Sequence, residues 1–131
     1  MKRTIACPLP TSRRSEADEP VPAVKGRTLA LLEAKSAIFK ALGHPTRLYI
    51  VERLARREHC VCEFVDAIRA DFSTVSKHLA VLKQAGIVAD DKRGLQVFYR
   101  LKMPCIVRGF GCIDAALQQQ LAERQELLGD R

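Results

Sequence analysis

The stretch Ser73–Gly86, "STVSKHLAVLKQAG", constrains this chain more than any other. At 100° per residue, Val75, Leu79 and Leu82 fall on one face of a helix, while Ser73, Thr74, Lys77, Val81 and Gln84 fall on the opposite one. The first face must be a core face, and the second is free to meet a partner. Ser73 is read as the N-cap and Gly86 as the stop. What precedes and follows this helix then decides what it is for.

Upstream, Leu29, Leu32, Ile38, Ala41 and Leu42 recur near helical spacing and Gly43 ends the run, which predicts a first helix. His44-Pro45-Thr46 restarts the chain, and Leu48, Ile50, Val51 and Leu54 give a second helix an apolar face up to Arg57. Val61 to Ile68 forms a short third helix that buries Phe64, Val65 and Ile68, and Ala70-Asp71-Phe72 makes a tight connection. Downstream, "IVADDKRGLQVFYRL" reads as two strands, Ile87 to Ala89 and Gln96 to Leu101, around a charged tip closed by Gly94. From Pro104 to Leu128, Ile106, Phe110, Ile113, Leu117 and Leu121 mark a long amphipathic helix, weakened by Gly109 and Gly111. Residues 1–27, with Pro8, Pro10, Pro20 and Pro22 among charges, read as a flexible tail. The domain is then 28–131. The fold class is mainly α with a small β-hairpin, in the order of a winged helix-turn-helix.

Charge points the same way. The 131 residues carry 22 Lys and Arg against 15 Asp and Glu, a net +7 that favours a polyanionic partner. Between Ser73 and Lys102, six Lys and Arg stand against Asp90 and Asp91, so +4 of that charge lies on the helix and hairpin. With the helix in a major groove, Ser73, Thr74, Ser76, Lys77 and His78 are the candidates for phosphates and base edges, and Lys92 and Arg93 of the hairpin lie over adjacent backbone. The bland alternative is a solvated helical face beside an ordinary hairpin. A membrane role is not expected, since no apolar run approaches a spanning helix and no signal-peptide core follows Lys2 and Arg3. The expected compartment is the cytoplasm, where thiols stay reduced and the five cysteines serve as metal ligands, nucleophiles or filler. Only His59 beside Cys60 hints at a nucleophile and base, so no enzyme activity and no catalytic cofactor are expected.

Four segments, "ALGHPTRLYIVERL", "EHCVCEF", "STVSKHLAVLKQAGIV" and "RGLQVFYRL", resemble in order and spacing the ArsR/SmtB family of metal- and metalloid-responsive repressors. The likeness covers roughly residues 36 to 105, and the Ser76-Lys77-His78-Leu79 box is its most specific part. It implies a homodimeric winged helix protein that occupies double-stranded DNA and leaves it when inducer binds, with the first and last helices as the dimer interface. A two-fold dimer spaces its recognition helices about one DNA turn, ~34 Å, and so implies an inverted-repeat operator.

Cys60-Val61-Cys62 stands where the family carries its metalloid-binding Cys-Val-Cys. Residues two apart in a regular helix point about 200° apart, so both sulfurs meet one ion only if the helix start is distorted. The helix N-terminus with Arg56 and Arg57 is expected to favour the thiolate. Soft thiolates suit arsenite or antimonite as inducer, with cadmium or lead as competitors. Many members carry a third cysteine where this chain has Val65. The third sulfur is assigned to Cys105, with Cys7 or Cys112 as alternatives, or it is absent. Cys105 and Cys112 lie about 10.5 Å apart along one helix and cannot share an ion within one chain. His44 and His78 read as structural or phosphate-contacting, and His59 as a solvated histidine with a fourth-ligand role as the alternative. Zinc sensors of the family place His and carboxylate ligands in the last helix, where this chain has no His and Asp114 alone is not enough. A thiol-redox repressor, a cadmium or lead sensor, and a module with inert cysteines remain as alternatives.

Overall fold

A computed structural model describes residues 20–129 of the chain. The predicted tail at 1–27, and Cys7 within it, therefore lie largely outside the described residues. Five helices and three strands follow in the order α1 (Gly26–Leu42), α2 (Pro45–Leu54), β1 (His59–Cys60), α3 (Val61–Ile68), α4 (Phe72–Gln84), β2 (Val88–Arg93), β3 (Gln96–Leu101) and α5 (Cys105–Gly129). The strands form one antiparallel sheet in the order β1-β3-β2. This is a winged helix-turn-helix: α3 and α4 are the paired helices, and β2–β3 is the wing.

Local chemistry explains most boundaries. His44 caps α2, its Nδ1 accepting the Thr46 N–H at 3.1 Å, and Pro45 follows where a missing N–H costs nothing. The helix ends at Leu54 rather than Arg57, because the chain must turn into β1. Arg69 then ends α3 in the left-handed region at φ 56°, its N–H bonded to Val65 O. The predicted cap of α4 at Ser73 is two residues late. Asp71 holds the cap position with extended backbone, and its carboxylate accepts the hydroxyls of both Ser73 and Thr74. Gly86, at φ 77°, closes α4 where a side chain would be strained.

Two strands differ from expectation. Val88–Arg93 is six residues long, since Asp90–Arg93 continue pairing with Gln96–Tyr99 despite their charge. Cross-strand pairing outweighs weak intrinsic preference there. The Arg93↔Gln96 register leaves a two-residue turn whose first position, Gly94, has φ 63°, the positive value a tight hairpin requires. Strand β1 is only two residues, too short for any periodicity, and its partners Tyr99 and Phe98 lie some forty positions on. It converts the expected hairpin into a three-stranded sheet.

Ile50 and Val51 of α2, Phe64 of α3, Val75, Leu79 and Leu82 of α4, and Ile87 and Val88 beside them form the fully buried core. The α4 face read from its periodicity is the buried one, and each such side chain contributes roughly 1.5–3 kcal/mol through burial. The described chain divides into two compact units, Ala23–Pro104 and one that includes α5. Helix α5 runs unbroken through Gly109 and Gly111 and has no buried residue, with Ile113, Leu117 and Leu121 all at least half exposed. Helix α1 also leaves Leu29, Leu31, Leu32 and Phe39 exposed. No helix among the described residues is long and apolar enough to cross a membrane.

Candidate thiol site and nucleic-acid interface

The two cysteines of "EHCVCEF" lie on different elements. Cys60 ends β1 in extended backbone (φ −73°, ψ 150°) and is the N-cap of α3, while Cys62 sits in the first helical turn. The Cys60 sulfur accepts the Cys62 N–H at 3.4 Å, and Glu63 Oε2 reaches back to accept the Cys60 N–H at 2.9 Å. This is a capping box with a thiol in the usual hydroxyl position. The departure from regular helix that two sulfurs on one ion would require is already present at Cys60. Since Cys60 is outside the helix, its sulfur turns over the first turn toward Cys62, and no helix need unwind.

The expectation of favoured thiolates fails at Cys62. Its pKa is raised, first by the hydrogen bond with the Cys60 thiol, then by desolvation and the charge of that same neighbour; the N–H groups of Glu63 and Cys62 act the other way and are smaller. Arg57 is not available to offset this. Its guanidinium is taken by Glu63 Oε1 at 2.8 Å and by the Glu58 carbonyl at 2.9 Å. Hydrogen bonding from Arg57, then from the Cys60 N–H, drives Glu63 down to about 2. His59 is not solvated either. Only 7% exposed, it packs on Phe64 and donates Nδ1–H to Glu63 at 3.1 Å.

Cys60 is buried and Cys62 exposed, so the pair opens to solvent on the Cys62 side. A hollow of about 140 Å³ there is lined by Cys60, Val61, Cys62, Phe72 at the start of α4, and Leu95, Gln96 and Val97 at the wing tip. Cys105 is exposed at the first position of α5, and Cys112 is half-buried in the same helix. Among the described residues no group of three His, Cys, Asp or Glu is arranged to hold a metal ion. The Ala23–Pro104 unit therefore brings two donors together, Cys60 and Cys62.

On the polar face of α4 the candidates separate. Lys77 is exposed, Ser76 half-buried, and Ser73 and Thr74 are exposed but already donate to Asp71, whose pKa is lowered by those two hydroxyls. His78 is half-buried. Its ring lies 4.4 Å from that of His44, and its Nδ1 receives Arg47 Nη1–H at 3.4 Å. Desolvation first, then His44 and Arg47, lower its pKa. On the wing, Lys92 is exposed, whereas Arg93 is held by Glu58 at 2.7 Å and Asp91 at 3.0 Å and lies over the Phe98 ring. Lys83 is paired with Asp90 at 2.9 Å. Lys77, Lys92, Arg100 and Lys102 take part in no ion pair among the described residues. Sequence reasoning had no access to the pairing of Arg93, whose partner Glu58 is 35 residues away.

A family model described as "Bacterial regulatory protein, arsR family" matches residues 44–90. The HTH-type transcriptional regulator Rv0081 of Mycobacterium tuberculosis is 32% identical over 101 residues, 76% of this chain and 89% of that one. Its crystal structure superposes with a TM-score of 0.62, covering 72% of this chain and 95% of that one. The chain belongs to the arsR family of bacterial regulatory proteins. The HTH-type transcriptional repressor SmtB of M. tuberculosis is 41% identical over 71 residues, 54% of this arsR-family chain and 53% of SmtB. The arsenical resistance operon repressor of Escherichia coli is 42% identical over 65 residues, 49% and 56% of the two chains. The match thus spans about half the length of these two curated relatives. The homodimeric winged helix-turn-helix DNA-binding domain Mb0332 from Mycobacterium bovis has a TM-score of 0.66 at 27% identity, covering 79% of this chain and 95% of that one.

Proposed function

We propose that this protein is a homodimeric transcriptional repressor that binds an inverted-repeat operator and releases it when a thiophilic metalloid, arsenite or antimonite, is bound by Cys60 and Cys62. The observation that carries the reading is the placement of the two sulfurs. Cys60 lies on the strand hydrogen-bonded to β3 of the wing, and Cys62 lies on the helix whose turn leads into α4. An ion joining them acts on both DNA-facing elements within a few residues. Such coupling needs only that the ion favour one arrangement of the junction over the other.

The residues fit the ion's chemistry. Two soft donors converge on an open side, and trivalent arsenic forms its bonds to them by losing hydroxide as water, with no change in oxidation state. The third donor is Cys105, or else Cys7 or Cys112, from this chain or a second copy. DNA is met by Lys77, Ser76 and Lys92, with Ser73 and Thr74 able to exchange Asp71 for phosphate. Arg93 serves by tying the wing to Glu58, and His78 by packing α4 on α2. The exposed apolar faces of α1 and α5 form the dimer interface, in keeping with the homodimer of the M. bovis domain. The names of the two curated relatives, a repressor and an arsenical resistance repressor, agree with the reading.

The test is fluorescence anisotropy of the reduced protein on DNA from its own promoter, titrated with arsenite beside zinc and cadmium. Release near one arsenite per protomer, abolished by Cys60→Ser with Cys62→Ser, is the expected result. If the double variant responds like the native protein, the thiol assignment is wrong. The adjacency of the sulfurs also suits a second reading, in which peroxide oxidises the two thiols to a disulfide and is reduced to water. Release by peroxide reversed by dithiothreitol, without release by arsenite, identifies that case.

A further inference from the structure

The geometry points to Phe72 as a reader of DNA sequence: its ring meets the 5-methyl group of a thymine in the major groove, once in each half-site of the operator. This rests on the reading of α4 as the helix that enters the groove, and it adds a residue that the polar and charged candidates left out. Phe72 is the first residue of α4 and is 62% exposed, whereas Val75, Leu79 and Leu82 of the same helix are fully buried. Side chains of a helix lean toward its N-terminus, so one at the first position overhangs the helix end. In a helix-turn-helix that end reaches the base edges. A large ring held in water there gains little from the core.

The polar groups of the same turn are already engaged. Ser73 and Thr74 give their hydroxyls to Asp71 and reach phosphate only by leaving it. The ring needs no such exchange. Phe72 borders the hollow that it shares with Cys62, Leu95 and Val97, yet most of its surface stays in solvent.

Base chemistry then selects the occupant. In the major groove the four bases offer hydrogen-bonding atoms, and thymine alone adds a methyl group. A phenyl ring has no polar atom to pair, so the methyl is the feature it gains from, by taking apolar surface of both groups out of water. Against the other bases the same ring covers polar atoms without pairing them. Charge complementarity supports DNA as what meets this surface. Lys77 on the same helix and Lys92 on the wing are exposed and enter no ion pair among the described residues, which leaves both for the phosphates that set register.

The experiment measures the reduced, full-length protein by fluorescence anisotropy on its own promoter DNA and on the same DNA with every thymine replaced by uracil. That replacement removes the methyls and keeps the base pairing. The native protein should bind uracil DNA about fifteenfold more weakly, from about fourfold for one buried methyl in each of two half-sites. Phe72→Ala and Phe72→Gln should bind the two DNAs within about twofold of each other, with the salt slope of the native protein because no charge is removed. Leu95→Ser, which changes a still more exposed apolar side chain at the wing tip, should keep the native ratio. A helix start that these changes merely loosened would weaken both DNAs alike. The inference is therefore overturned if both Phe72 variants keep the native ratio, if the native protein is indifferent to the methyls, or if Leu95→Ser loses the ratio equally. Lys77→Ala tests the underlying reading separately: unchanged affinity and salt slope on promoter DNA would mean that α4 does not enter the groove, and both readings fail. If Lys77→Ala costs affinity while the Phe72 variants keep the ratio, the assignment of Phe72 alone falls.

Discussion

Glu63 gathers the Cys60 N–H, the His59 Nδ1–H and the Arg57 guanidinium on a single carboxylate, and the consequence is a pKa of about 2. A carboxyl depressed on folding lends stability above its unfolded range, near 4.3, and that stability is lost as pH falls toward its folded value. The native protein should therefore lose stability between about pH 4.3 and 2 through this residue. Glu63→Gln keeps an acceptor for the Cys60 N–H, so it should cost under about 1 kcal/mol at neutral pH, the range of a solvent-exposed ion pair. Its urea midpoints should fall less steeply with acid than those of the native protein. Parallel midpoints for the two proteins across that pH range would contradict the assignment. The sequence showed a Glu three residues after Cys60, but the two supporting bonds come from side chains whose directions only the fold sets.

At the scale of elements, α4 and the wing present basic residues that look alike in sequence and differ in place. Lys77 is exposed and outside every ion pair among the described residues, whereas Arg93 is offset by Asp91 and Glu58. Counterion release makes this measurable, since each phosphate neutralised contributes to the slope of log affinity against log salt. Lys77→Ala should lower that slope by about one. Arg93→Ala should change it less, and should instead loosen the wing where Glu58 anchors it beside β1. Anisotropy across a range of potassium chloride concentrations decides the matter: equal slope losses for the two variants would mean that Arg93 abandons Glu58 for DNA. The net +4 counted along the segment equals its four cations outside ion pairs among the described residues, Lys77, Lys92, Arg100 and Lys102; which residues those are depended on the fold.

For the whole molecule, the question is what covers α1 and α5. Ile113, Leu117 and Leu121 are spaced four apart on α5 and each is more than half exposed, as are Leu31 and Phe39 of α1. Stripes of this kind on helices with few or no buried residues of their own call for a second chain. Leu117→Glu combined with Leu121→Glu should shift sedimentation from dimer to monomer and weaken operator binding by more than about tenfold, because a monomer engages one half-site alone. A variant that remains dimeric would place the interface elsewhere.

By itself the sequence determined the helices, the buried face of α4 and the existence of the wing, because each depends on periodicity or turn chemistry within some fifteen residues. Val75, Leu79 and Leu82 could be assigned to the core from their spacing, and they are fully buried. Tertiary structure alone decided how Cys60 and Cys62 are placed relative to each other. Whether Cys60 belongs to a strand or a helix depends on Phe98, and the strand places its sulfur toward Cys62 rather than away from it. The fate of Arg93 likewise depends on Glu58, and the half-buried place of His78 on His44. All three hinge on pairings 34 to 38 residues apart. Local patterns do not encode such pairings; the packing of α2, α3 and α4 against the sheet does.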